Sequence, residues 1–124
     1  MVTEHKITRI SKREWVGPGG AKGALIDKTA PIEGMGDKPI KQFHMNIYIP
    51  KEQRRNGIGK AIAKQILKDL AEHNKRSKKE ERVYRIFARP GHHIAEPGAE
   101  TFFEKLGFRC FGNGHYCKNI ENYN

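Results

Sequence analysis

The hydrophobic period of this chain changes in mid-sequence, and that change constrains the fold more than any other feature. From Ile40 to Pro50, "IKQFHMNIYIP", the residues Phe43, Met45, Ile47 and Ile49 alternate with His44, Asn46 and Tyr48. A period of two, with β-branched and aromatic residues and a closing proline, predicts a strand. From Gly57 onward Ile58, Ala61, Ile62, Ile66 and Leu70 recur at helical spacing. Ala63 and Leu67 widen that stripe, and Lys60, Lys64 and Lys68 lie on the other side. This predicts an amphipathic helix from Gly57 to about Asn74. A strand must therefore hand over to a helix across one short segment, Lys51 to Asn56.

Other stretches take their places around this pair. "HKITRI" predicts a short strand. "WVGPGGAKGALIDKTAPIEGMGDKP" is dense in Gly and Pro and predicts turns, with a strand at "ALID". "NKRSKKEER" is a polar, basic connection, and Arg82 to Ala88, "RVYRIFA", is a second strand. "RPGHHIAEPG" is a loop, and "AETFFEKL" is a short helix that Gly107 is placed to stop in the left-handed conformation. "FRCFGNGHYC" predicts a hairpin turning on Asn113-Gly114. Trp15, Met35 and Met45 are expected to pack inside, and the tail "NIENYN" to fray. The order strand, helix, strand, helix, hairpin predicts an α/β or α+β sheet domain. With 124 residues it is expected to be a single domain over 1–124.

Charge narrows the partners. The net charge is +10 and the pI is about 9.8. That balance favours nucleic acid, a phosphorylated cofactor or an acidic protein surface, with a lysine-rich solvated surface as the plain alternative. No apolar run reaches transmembrane length, and charges in "MVTEHKITRI" stand where a signal peptide needs an apolar core. A cytoplasmic protein with no membrane association is expected. Cys110 and Cys117 make no disulfide framework.

The segment between strand and helix has its own chemistry. "RRNGIGKA" places Gly57 and Gly59 beside Arg54, Arg55 and Lys60. A helix N-terminus carries unpaired N–H groups and the positive end of the dipole, so it attracts anions. Glycines let the backbone come close to a ligand and adopt positive φ. The strand–loop–helix reads as a pyrophosphate cradle. It is no P-loop, because G-x-x-x-x-G-K-[ST] does not occur, and no dinucleotide fingerprint, because the third glycine is missing.

Two stretches together resemble a known family. "NIYIPKEQRRNGIGKAIAKQIL", with R-x-x-G-x-G after an apolar strand, resembles motif A of the GNAT superfamily of acyl-CoA N-acyltransferases. "AETFFEKLGF", Ala99 to Phe108, resembles that family's motif B. The resemblance spans Ile40 to Phe108 and extends to the closing hairpin, near residue 118; the first forty residues do not visibly match. It implies a mixed, mostly antiparallel sheet with flanking helices, whose splayed strands form a wedge for coenzyme A. It implies acetyl-CoA as donor and transfer of the acetyl group to a primary amine in a ternary complex. Backbone amides of Arg55, Asn56, Gly57, Ile58, Gly59 and Lys60 would hold the pyrophosphate, Arg54 would add charge or shape the loop, and Ile47 and Ile49 would offer backbone groups to the pantetheine arm.

The chain departs from the family where the proton chemistry sits. The motif B tyrosine position is Phe103, which has no proton to give, and the usual glutamate position falls at Phe43. The connection before motif B is longer, puts Glu96 near the usual asparagine and adds His92 and His93. One of these histidines, His93 ahead of His92, is the candidate base, with exposed loop histidines as the plain reading. Tyr116 is the candidate acid, or simply a strand aromatic. Cys110 and Cys117, opposite each other across the turn, would make zinc ligands with His115 or His92, but a hairpin explains their spacing and no metal is expected. The acceptor amine stays open, on a small molecule or a macromolecule, as does monomer or homodimer. The alternative function is a weak or inert module of the same fold that binds nucleic acid or a protein through its basic surface.

Overall fold

The computed structural model describes residues 5–53, 57–89 and 99–124. It is an α+β structure whose seven-stranded sheet is mostly antiparallel. The strands are β1 (Thr8–Ser11), β2 (Glu14–Val16), β3 (Lys22–Asp27), β4 (Lys41–Tyr48), β5 (Val83–Ala88), β6 (Arg109–Gly112) and β7 (His115–Asn119). Their order across the sheet is β1-β2-β3-β4-β5-β7-β6, and β4 and β5 form its parallel pair. The described helices are α1 (Ile58–Arg76) and α2 (Ala99–Lys105).

α1 connects β4 to β5 and lies on one face of the sheet. Its buried stripe, Ile58, Ile62, Ala63, Ile66 and Leu70, joins Trp15, Leu25, Met45, Ile47 and Ile86 in one core. The helix comes close because Gly23 faces it: a Cβ there would lie 2.6 Å from Ile62 Cγ2 and 3.0 Å from Ile66 Cδ1. Trp15 Nε1 donates to Asp69 Oδ2 at 2.8 Å, tying β2 to the helix. α2 lies beside α1, since Phe103 and Phe108 join the same core and the Lys60 ammonium sits 5.3 Å from the centre of the Phe102 ring. On the opposite face Ile26, Tyr48 and Phe111 are exposed.

Several expectations change. β2 is a strand that starts at Glu14 and runs into the stretch expected to turn, paired on both sides. Met35 is exposed, not packed, because it lies in the turn-rich link between β3 and β4. That link opens on Asp27, whose carboxyl is held below its usual range chiefly by hydrogen bonds from the Thr29 side chain and N–H. The helix continues to Arg76, past the buried Asn74, whose Nδ2 donates to Val83 O and Glu121 O while its Oδ1 accepts from Val83 N. Those bonds pin the tail instead of letting it fray. Arg82 Nη1 also donates to Tyr123 O, and Ile120 is buried. The hairpin turns as expected, with positive φ at Asn113 (50°) and Gly114 (77°). Its register pairs Cys110 with Tyr116 and Arg109 with Cys117. That offset of one residue sends the two thiols to opposite faces, so they do not sit opposite each other and have no shared metal geometry. Cys110 is exposed and Cys117 intermediate. Among the described residues no helix is long and apolar enough to cross a membrane.

Candidate functional site

The site begins where β4 and β5 part. Their parallel ladder runs from Lys41↔Val83 to His44↔Phe87 and ends there. β4 continues through Met45, Asn46, Ile47 and Tyr48, all still paired with β3. β5 has only Ala88 left, and Ala88 is paired to Tyr116 on the other side. Among the described residues no strand pairs with β4 on that side beyond His44. The result is a backbone edge of β4 that faces away from β3 beyond the last rung.

That edge leads to the start of α1. Gly57 caps the helix in the left-handed region, φ 75° and ψ 10°, with no side-chain cap, and no acid lies in the first turn. The first-turn N–H groups have no acceptor within the helix, and they stand at the positive end of its dipole. A Cβ at Gly57 would meet nothing within 4 Å among the described residues. Ile58 and Gly59 are buried, and the Ile58 side chain packs toward Gly17. Of the expected phosphate-loop residues, Gly57, Ile58, Gly59 and Lys60 come together at this turn, with only backbone to offer from Ile58. Arg54, Arg55 and Asn56 lie outside the described residues.

Ile47 and Ile49 are 2% and 3% exposed, so their side chains belong to the core and offer nothing to a ligand. Phe103 is buried against Phe108, ring centres 4.9 Å apart. It supplies packing where the sequence comparison wanted a hydroxyl. Phe43 is likewise core, with the Arg13 guanidinium 4.9 Å above its ring. Tyr116 is buried on β7 opposite Ala88, and its hydroxyl donates to Glu104 Oε1 at 3.4 Å. It therefore stands at the end of β5, one position past the last β4–β5 rung. His92, His93 and Glu96 lie outside the described residues.

The structure adds residues that the sequence reading passed over. Asn46 sits two residues beyond the last rung, and its Oδ1 is buried with no hydrogen-bond partner among the described residues. A buried amide oxygen without a donor costs roughly 1–3 kcal/mol, so natural structures rarely keep one without use. At the closed end of the parting strands, Arg85 Nε donates to Gln42 Oε1 at 2.8 Å and the guanidinium lies 5.0 Å from the Phe87 ring centre. The signal for Asn46 was present in the sequence as a polar residue on the second face of an apolar strand, but burial of its oxygen was not.

No family model matches the chain, and the search of curated proteins finds no match. Among solved structures, a chain of the crystal structure of the KacTA–DNA complex aligns with a TM-score of 0.48 and 13% identity. The alignment covers 86% of this chain and 58% of that one, so this chain spans less than two thirds of its neighbour's length. A likeness at that level assigns neither a fold family nor a function.

Proposed function

We propose that the chain is an acetyl-CoA-dependent N-acetyltransferase with a GNAT-like fold, acting on a primary amine. The observation that carries this reading is the early end of the β4–β5 ladder at His44↔Phe87, continuous with an uncapped α1 that starts on left-handed Gly57. An elongated ligand with an anionic end and an amide-bearing arm fits that arrangement. Its phosphates meet the amides and dipole of the α1 N-terminus. Its arm replaces β5 as the hydrogen-bonding neighbour of β4 beyond residue 44. Asn46 Oδ1, buried with no donor among the described residues, receives an N–H from the arm or from the incoming amine.

Acetyl-CoA, when bound, supplies an activated acyl group as a thioester. The residues here do the rest by binding and orientation, which alone account for a large share of the rate in two-substrate reactions. Burial of Ile47 and Ile49 keeps the β4 edge rigid. Tyr116 holds a proton at its hydroxyl beside Glu104, and His93 or His92 remains the proposed base.

The test is thermal. The melting temperature is measured with excess acetyl-CoA and, as control, adenosine diphosphate. At a hundredfold excess over Kd, binding stabilises by about 2.7 kcal/mol, a shift on the order of 10 °C for a chain of this size. A shift well beyond the control supports the donor. No acetyl-CoA response, together with salt-sensitive binding of duplex DNA or RNA, would replace this reading with the nucleic-acid-binding module that the charge of +10 also suits.

A further inference from the structure

A second cavity, of about 500 Å³, lies at the opposite end of the sheet. Its floor is apolar: Leu25, Phe43, Leu70 and Val83, from β3, β4, α1 and β5. Its rim is mostly basic, with Arg9, Lys12 and Arg13 from the β1–β2 hairpin and Lys41 from the start of β4, and it also carries His73 and the Glu81 carboxylate. Lys41 and Val83 form the first rung of the β4–β5 ladder, whereas the ladder opens at its other end. Leu70 follows Ile58 by twelve residues, roughly 18 Å along α1, so the cavity is remote from the Gly57 turn.

The charges around it are only partly neutralised. Lys41 Nζ is 3.3 Å from Glu81, and Arg13 is 3.8 Å from Asp27. The Arg9 guanidinium donates to two backbone carbonyls, Ser11 O at 3.1 Å and Lys12 O at 2.7 Å, while stacking 5.0 Å from the Trp15 ring centre. Among the described residues no carboxylate pairs with Arg9 or Lys12. Carbonyl bonds orient Arg9 without cancelling its charge.

We propose that this cavity binds a small amphiphilic anion: a carboxylate head held by Arg9 and Lys12 and an apolar body lying over Leu70 and Val83, beside the Phe43 ring that Arg13 covers. The volume lies within the range of small-molecule sites, which pair an apolar lining with a few polar anchors. A cation is repelled by the rim. A neutral apolar body leaves the rim charges unanswered, and a nucleic-acid backbone does not use the floor. This site does not depend on the acetyltransferase reading.

The probe is decanoate, below its micelle concentration, titrated into the whole chain. Calorimetry and the fluorescence of Trp15, the single tryptophan, report binding. Saturable one-to-one binding is expected, with the methyl resonances of Leu25 and Val83 shifting. Decanol and decyltrimethylammonium are expected to bind at least tenfold more weakly. The double variant Arg9→Gln, Lys12→Gln should lose at least tenfold in decanoate affinity at an unchanged urea midpoint; if that midpoint falls, Lys12→Glu alone, an exposed change, should still lose affinity. Equal binding of decanol, or decanoate affinity unaffected in both variants, overturns the proposal. So does a response to an acidic leucine-rich peptide with none to decanoate, which makes the cavity a docking site for a macromolecule.

Discussion

Asn46 and Asn74 are chemically identical side chains with opposite circumstances. Asn74 is fully buried with its amide satisfied on both ends, joining α1 to the start of β5 and to the tail. Asn46 has a buried oxygen with no donor among the described residues. Replacing Asn46 by the similarly sized Leu removes an unpaid desolvation cost. The variant Asn46→Leu should therefore be more stable in urea by about 1 kcal/mol while its stabilisation by acetyl-CoA falls. A variant that is destabilised and keeps the full ligand shift would show that Asn46 is a structural residue. Phe103 makes the same point in reverse: a position read for its missing hydroxyl proves to be a core aromatic between Phe102 and Phe108.

At the scale of elements, the β4 edge beyond the last rung depends on the seating of α1. The helix approaches the sheet at Gly23, whose partner across β3–β4 is Ile47, one of the strand residues past the last rung. A methyl group at Gly23 has Ile62 Cγ2 at 2.6 Å, far inside contact distance. Gly23→Ala should cost about 1–3 kcal/mol in urea unfolding, the usual range for overpacking. If stability is unchanged, the helix is not held against β3 as described. Much of this level was legible in advance. The strand at 40–50, the helix from Gly57 and the hairpin at Asn113-Gly114 follow from local periodicity and turn stereochemistry. β2 was not legible, because a three-residue strand has too few residues to show a period and is recruited by pairing with β1 and β3.

For the whole molecule, charge is the governing quantity. With 24 basic and 14 acidic residues, the surface repels itself, and the described ion pairs, Arg13–Asp27 and Lys41–Glu81, are partly exposed and weak. Adding sodium chloride to about 0.15 M shortens the screening length to about 8 Å and should raise the melting temperature of the ligand-free protein by a few degrees. A fall in melting temperature on adding salt would mean that attractive pairs outweigh the repulsion.

Local sequence was enough to place β4 and α1 on either side of the Gly57 turn and to set the excess of positive charge; that Gly57 and not Gly59 takes the left-handed conformation was not legible. The placement and the charge are properties of backbone stereochemistry and composition, which neighbouring residues settle among themselves. Long-range pairing sets where β5 stops pairing with β4, which asparagine is satisfied, that the tail is pinned through Asn74 and Arg82, and that Cys110 and Cys117 face apart. Each of those depends on register between segments far apart in the chain. A shift of one residue in register reverses every side chain in a strand, and no local pattern specifies it.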